Sequence, residues 1–286
     1  MVKYGLVLEG GGMRAAYTAG CLKWLLENDI KFDNASAISA TAVLNAYFIA
    51  EDVAAIEKLG VELMSDKHNV GVRPFFTELQ LLGYNYMFKR LLKEQTPLNI
   101  EKLRQAKTLM QFGVYCKEDH QMKWVDNESC DEDLRYLKAS VVLPVGGRSV
   151  KIAGKHYLDG GVMTMMPIFH AQDLANDRFF CITTKHESYV RTPNSKLLSR
   201  VIDLLYWRYP KMRESIKQRV AIYYQEIDRV TELVAKKQAI FMRPSVLVNV
   251  SRLSATKEDL VELFNVGYQD CQKRKAEIYE FFAKNR

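Results

Sequence analysis

The 286-residue chain holds no run of about 18 or more apolar residues, so a transmembrane helix is not expected. Its first apolar run begins by Tyr4, which leaves no room for the charged and hydrophobic regions of a secretory signal, and cytoplasmic residence is the expectation. The five cysteines, Cys21, Cys116, Cys130, Cys181 and Cys271, are odd in number and show neither metal-ligand nor redox spacing. Reduced, mostly buried thiols follow from that. The five histidines are dispersed and no HExxH pattern exists. Internal repeats, low-complexity tracts and long linkers are also missing. Neither a metal centre nor a cofactor is expected.

What is present is an ordinary globular composition, 48% apolar and 26% charged, consistent with one large α/β domain. The net charge of +7 is unevenly placed. Residues 187–286 hold 19 Lys/Arg against 12 Asp/Glu, and the remainder of the chain balances at 22 of each. This basic C-terminal part reads as a solvated helix surface or as a surface suited to anionic phospholipid headgroups. A nucleic-acid partner is not expected.

The organising stretch runs from Tyr4 to Ala46. A short buried strand, Tyr4 to Leu8, breaks into Glu9-Gly10-Gly11-Gly12-Met13-Arg14, and a helix follows from about Met13 to Asn28. Close-approaching glycine N–H groups and a helix N-terminus form a place for negative charge. A second strand, Asn34 to Ile38, ends at Ser39, and a helix from Ala40 to Ala50 follows. Strand-helix-strand-helix within about 50 residues predicts a parallel sheet, whose functional groups gather at the carboxyl ends of the strands.

Further along, Val53, Ile56, Leu59, Leu63 and Met64 continue a helical period, and His68 to Pro74 reads as a loop. Phe75 to Leu92 reads as a core segment, or as a helix pair lining an acyl pocket. A helix is expected over Ile100 to Gln105 and another over Asp131 to Ser140. Leu109 to Cys116 and Gln121 to Val125 pair across a polar turn, and a hairpin around Ala153-Gly154-Lys155 delivers Asp159-Gly160-Gly161. Phe179 to Thr183 is a core strand, Lys211 to Gln238 the clearest amphipathic helix, and Phe241 to Val250 a strand weakened by Pro244. Thr256 with Asp259 starts a last helix that extends through Ile278.

Gly10-Gly11-Gly12-Met13-Arg14-Ala15 formally matches G-x-G-x-x-A, and a dinucleotide site would want an acidic residue near the end of the second strand; Asp33 lies near the right distance but precedes that strand. There is no Walker lysine. Ser39 is a helix cap or a nucleophile, and Asp159 is a turn residue or a base. Taken together with the glycine loop, they describe an acyl-transfer site with a nucleophile, a base and oxyanion donors. Ser36 is the other candidate serine, but it falls inside the strand.

Leu-Glu-Gly-Gly-Gly-Met-Arg, then Phe-Asp leading to a serine corner, then Tyr-Leu-Asp-Gly-Gly resemble the patatin-like phospholipases. Tyr209-Pro210, Ile240 to Pro244, Val250 to Leu253 and Gly267-Tyr268 resemble the bacterial branch of that family. The resemblance implies a three-layer α/β/α fold with a mainly parallel sheet, a catalytic core over 1–190 and a mostly helical C-terminal extension over 191–286. It implies a serine lipid acyl hydrolase with Ser39 as nucleophile, Asp159 as base and Gly10, Gly11, Gly12 and Arg14 as the oxyanion loop, acting without calcium on an acyl lipid or ester. Peripheral contact with an anionic membrane is the second reading of the basic C-terminal part, separate from the resemblance. The chain departs from the family at the elbow: Ala37-Ile38-Ser39-Ala40-Thr41 stands where Gly-x-Ser-x-Gly is usual, and β-branched Thr41 is the more intrusive change. The altered elbow also fits a catalytically impaired lipid-binding or regulatory protein on the same fold.

Overall fold

The computed structural model describes residues 2–63, 65–66, 68–69 and 72–283. Its centre is an eight-stranded sheet in the order β5-β6-β3-β2-β1-β7-β8, with β4 also paired to β3. The strands are β1 (Tyr4–Leu8), β2 (Asn34–Ile38), β3 (Leu109–Cys116), β4 (Gln121–Asp126), β5 (Val150–Ile152), β6 (Lys155–Asp159), β7 (Arg178–Ile182) and β8 (Ala239–Met242). From β3 through β2, β1 and β7 to β8 every pairing is parallel, whereas β4, β5 and β6 join antiparallel.

The α-helices are α1 (Ala15–Glu27), α2 (Ala40–Ile49), α3 (Val53–Lys58), α4 (Val72–Glu78), α5 (Tyr84–Tyr86), α6 (Ile100–Gln105), α7 (Arg135–Ala139), α8 (Ile168–Asp173), α9 (Lys196–Leu205) and α10 (Pro210–Ala235), with α11 (Lys257–Lys273) and α12 (Lys275–Ala283) after the last strand. Helices cover both sheet faces, because successive strand residues point to opposite sides. Leu6, Leu8, Phe180 and Ile182 face a core shared with α1, α11 and α12. Val7, Phe179 and Cys181 face a second cluster with Ile168 and Ala171 of α8 and Val230 and Leu233 of α10. All five cysteines are free and buried.

Several expectations shift. Pro74 lies inside α4 rather than in a loop, at the third helical position, where its missing N–H has no intrahelical partner to lose. The strand expected over 241–250 ends at Met242, two residues before Pro244. The helix expected over Asp131 to Ser140 is confined to Arg135–Ala139. The last helix does start at a capping box of Thr256 and Asp259, but it is divided at Arg274 into α11 and α12. Helix α9 was not foreseen. Met64 and the side chains of Leu63 and Leu91 lie outside the described residues.

Helix α1, which carries the glycine loop at its N-terminus, is clamped against α11 through two glycines. A Cβ on Gly20 would stand 2.0 Å from the Phe264 carbonyl oxygen, and one on Gly267 would stand 2.1 Å from that of Tyr17. Backbone cannot yield as a side-chain tip does, so Gly20→Ala is expected to lower unfolding free energy by about 1–3 kcal/mol, the usual range for overpacking. Urea denaturation checks this; an unchanged midpoint would show that the helices can move apart freely.

Candidate active site

The two candidate catalytic residues meet because of the way β3 is paired. Along one edge of β3, β2 runs parallel and ends with Ile38 opposite Gly113. Beyond that point the antiparallel β6 takes over, ending with Asp159 opposite Val114. The other edge of Gly113 and Val114 belongs to β4. The chain ends of β2 and β6 therefore converge on one edge, and Ser39 Oγ donates a 2.7 Å hydrogen bond to Asp159 Oδ2. Gly160 allows this approach: a Cβ there would lie 2.5 Å from the Gly113 carbonyl oxygen.

Ser39 occupies φ 63°, ψ −137°, a region that non-glycine residues rarely adopt. The strain turns the chain sharply from β2 into α2. Thr41 does not disturb that turn. Its side chain is fully buried, and its hydroxyl donates to the Ile38 carbonyl at 2.8 Å. The β-branched residue that reads as intrusive in sequence is thus accommodated, because its hydroxyl reaches the carbonyl that ends β2. Ser36 lies within β2, opposite Val7, and takes no part in the corner.

Asp159 is 4% exposed. Its Oδ1 accepts the Gly161 N–H at 2.7 Å. Burial raises the carboxyl above its ordinary range, while the bonds from Ser39 and Gly161 and the charges of Arg219 and Arg252 oppose the rise. The carboxyl and the serine hydroxyl are thus in direct hydrogen-bond contact.

The glycine loop lies across from this pair and is held by buried charge. Gly10 N–H donates to the Met165 carbonyl at 3.0 Å, and Met13 N–H to that of Arg252 at 3.1 Å. Arg14 closes the 3₁₀ turn Gly12–Arg14, whose i→i+3 bonding engages its N–H. Of the four predicted oxyanion residues, Gly11 and Gly12 keep N–H groups with no protein acceptor among the described residues, whereas Gly10 and Arg14 do not. Gly12 has φ +58°. Beneath the loop, fully buried Glu9 pairs with Lys185 at 3.1 Å, and Lys185 also donates to the Gly10 carbonyl at 3.3 Å. Burial draws Lys185 down to about 8 against the pull of Glu9. From α10, Glu226 accepts the N–H groups of Met165 and Met166, at 3.1 and 2.9 Å. Neither Glu226 nor Lys185 belongs to the sequence motifs, and only the fold brings them to the loop.

The dinucleotide alternative finds no support. Asp33 Oδ2 accepts the Tyr4 N–H at 2.7 Å, at the opposite end of β1 from the glycine loop. Among the described residues no group of three His, Cys, Asp or Glu side chains is arranged to hold a metal, and no helix is long and apolar enough to cross a membrane.

Ser39 opens on one side into an apolar cavity lined by Met13, Val43, Leu44, Leu82, Tyr84 and Leu143, among others. The segment from Phe75 to Leu92 is thereby divided. Leu82, Tyr84 and Met87 line this cavity, Phe88 and Leu92 are in the core, and Phe75, Phe76 and Leu79 are exposed. A larger cavity, of about 770 Å³, lies along α11 away from Ser39.

The Asp159 environment predicts a trade between stability and activity. Its native pKa is raised, so its stabilising contribution is present while the group is protonated and is lost as pH rises through the native pKa. Asp159→Asn removes that cost: its melting temperature should exceed wild type at neutral pH, with the difference fading in acid, and ester turnover should fall by about a hundredfold or more. Parallel thermal melts and kinetics across pH test both halves; a variant less stable than wild type at pH 7 would contradict the assignment.

The family model for patatin-like phospholipase matches residues 6–171, which include Ser39, Asp159 and the glycine loop. A second model, a domain of unknown function designated DUF6363, matches residues 209–283. None of the curated proteins matches the sequence. Among solved structures, VipD from Legionella pneumophila is similar at a TM-score of 0.52 and 13% identity. The match covers 96% of this chain and 66% of VipD, so the chain spans just under two thirds of that protein's length, and the likeness is one of fold. With its glycine loop and its Asp-Gly-Gly turn inside a family match that spans more than half of its length, the chain belongs to the patatin-like phospholipase family.

Proposed function

We propose that the protein is a serine lipid acyl hydrolase, a carboxylic ester hydrolase with a Ser39–Asp159 dyad. The observation that carries this reading is the 2.7 Å bond between a strained serine and a buried carboxylate, opposite two unclaimed glycine N–H groups. In the first step Ser39 Oγ attacks the ester carbonyl carbon and its proton passes to Asp159 Oδ2. The oxyanion is held by the N–H groups of Gly11 and Gly12 at the start of the helical turn into α1. Collapse breaks the bond to the alcohol, which leaves with the proton from Asp159, and an acyl-serine remains. Water then attacks as Asp159 takes its proton; collapse returns that proton to Ser39 and releases the fatty acid. The apolar cavity beside Ser39 suits the acyl chain.

The motive for a catalytically impaired alternative was the altered elbow, and the hydrogen bond of Thr41 to Ile38 weakens that motive. A fluorophosphonate should label the folded protein stoichiometrically at Ser39. Ser39→Ala should lose the label and, by analogy with other acyl-transfer sites, roughly a thousandfold or more in turnover. Labelling at another serine, or none, would remove the reading.

Contact with a lipid surface belongs to the same proposal, with cytoplasmic residence and peripheral attachment. Phe75, Phe76 and Leu79 are 53–76% exposed on and beside α4, close to the apolar cavity. On α9 and just past it, Leu197, Leu204, Leu205 and Trp207 are 55–75% exposed, with Lys196, Arg200 and Arg208 among them. Such apolar side chains interspersed with cations suit an anionic interface. Pelleting with phosphatidylglycerol vesicles should weaken severalfold in 0.5 M salt (about a threefold to fourfold shorter screening length than at low salt) and again in Phe76→Ser; binding that ignores both changes would refute the contact.

A further inference from the structure

Gly10 and Gly11 of the glycine loop also border a second cavity, of about 490 Å³, which differs in character from the apolar one. It is bounded by the glycine loop, the 185–194 segment, α10 and the loop that carries Arg252, and no Asp or Glu lines it. Six cations do: Arg14, Lys185, Arg191, Lys217, Arg219 and Arg252. Two are paired, Lys185 with Glu9 at 3.1 Å and Lys217 with Asp203 at 3.7 Å. Four arginines remain without a carboxylate partner within ion-pair distance among the described residues.

The cost of this arrangement shows in individual groups. Among the described residues the buried Nε atoms of Arg191 and Arg219 have no hydrogen-bond partner, and an Arg219 terminal nitrogen meets the Met165 sulfur, at 3.4 Å. Burial, reinforced by repulsion from Arg191 and Arg252, draws the Arg219 guanidinium down to about 10, so it remains a cation at neutral pH. Like charges gathered at a partly desolvated site, with no carboxylate in ion-pair contact with the arginines, are stabilised by an anion that enters it. The aromatic rings nearby are already used by the protein's own cations: Arg14 and Lys185 lie 5.5 and 5.6 Å from the centroid of Tyr189, and Arg191 lies 4.7 Å from that of Tyr223. A quaternary ammonium would find no carboxylate in this cavity, and its one lining ring, Tyr189, already has two cations beside it.

Between the two cavities lies a narrower space that holds Ser39 and Asp159 and shares Gly10, Gly11, Arg219 and Arg252 with the basic cavity. An acyl ester whose carbonyl sits at Ser39, with its chain in the apolar cavity, directs its alcohol part toward the arginines. In a glycerophospholipid the phosphate follows the ester by a few bonds on that alcohol side. We infer that the basic cavity is a headgroup subsite that selects glycerophospholipids of net negative charge over zwitterionic choline lipids and neutral esters. This assignment rests on the acyl-hydrolase reading for its orientation and on the arginines without a carboxylate partner for its chemistry.

The test uses short-chain lipids that dissolve as monomers, which removes any contribution from membrane charge. Wild-type enzyme should show a kcat/KM for dihexanoyl phosphatidylglycerol about tenfold or more above that for dihexanoyl phosphatidylcholine, the scale of one charged hydrogen bond. Arg191→Gln and the exposed Arg252→Gln should each lower that ratio severalfold. Hydrolysis of both lipids at equal rates, or ratios unchanged in both variants, would overturn the subsite. Binding to Ser39→Ala by calorimetry separates the two readings. If the wild type hydrolyses neither lipid but the Ser39→Ala protein still binds phosphatidylglycerol and not phosphatidylcholine, the subsite stands and the acyl-hydrolase reading fails. If inorganic phosphate binds as tightly as the anionic lipid, the cavity is a free-anion site and the lipid assignment fails.

Discussion

A carboxylate withdrawn from water and held against a serine is the constraint on which the rest of this molecule depends. Asp159 tolerates its burial because Ser39 and the Gly161 N–H supply hydrogen bonds and because two arginines stand nearby. The Ser39 bond exists only while β2 and β6 end on the same edge of β3. The sheet order, the glycine at 160 and the strained turn at Ser39 all serve that juxtaposition. Ordinary sheet pairing places the two residues a hydrogen bond apart, at the carboxyl end of β2, where loops and helix N-termini leave backbone donors available.

Charge buried around the site has an organising role. Glu9 and Lys185 lie under the glycine loop, Glu226 holds the segment after Asp159, and that segment in turn accepts the Gly10 N–H. Buried ion pairs contribute little net stability, but removing one partner strands the other. Their value here is positional: they leave Gly11 and Gly12 as the unclaimed donors of the loop. The same region changes character over a short distance, from leucine and methionine on one side of Ser39 to arginine on the other. An amphiphile laid across the serine would meet matching chemistry at both ends.

The C-terminal part is joined to the site more closely than its helical reading suggests. It contributes β8 to the central sheet, α11 to the clamp on α1, the Arg252 carbonyl to the glycine loop and Glu226 to the Met165 segment. The excess positive charge carried by residues 187–286 is partly gathered at the cavity beside the candidate site, where Arg191, Arg219 and Arg252 converge.

The local elements were legible in the sequence wherever a short apolar run or a helical period was bounded by glycine, asparagine or a cap. β1, β2, β3, α6 and the capping box of α11 follow directly from such signals. So does the pairing of Ser39 with Asp159 as candidates, because a glycine loop, a serine corner and an Asp-Gly-Gly turn each demand special backbone. What no local pattern could decide is which groups are neighbours. Whether Thr41 clashes or fits depends on the direction of one carbonyl. Which glycine N–H groups stay free depends on acceptors contributed by residues 165 and 252. Exposure of Phe75 and Phe76, burial of Lys185 and the meeting of the arginines of the basic cavity are likewise set by long-range packing. Hydrophobicity and helical period specify which face a residue occupies, and only the closed sheet specifies what that face meets.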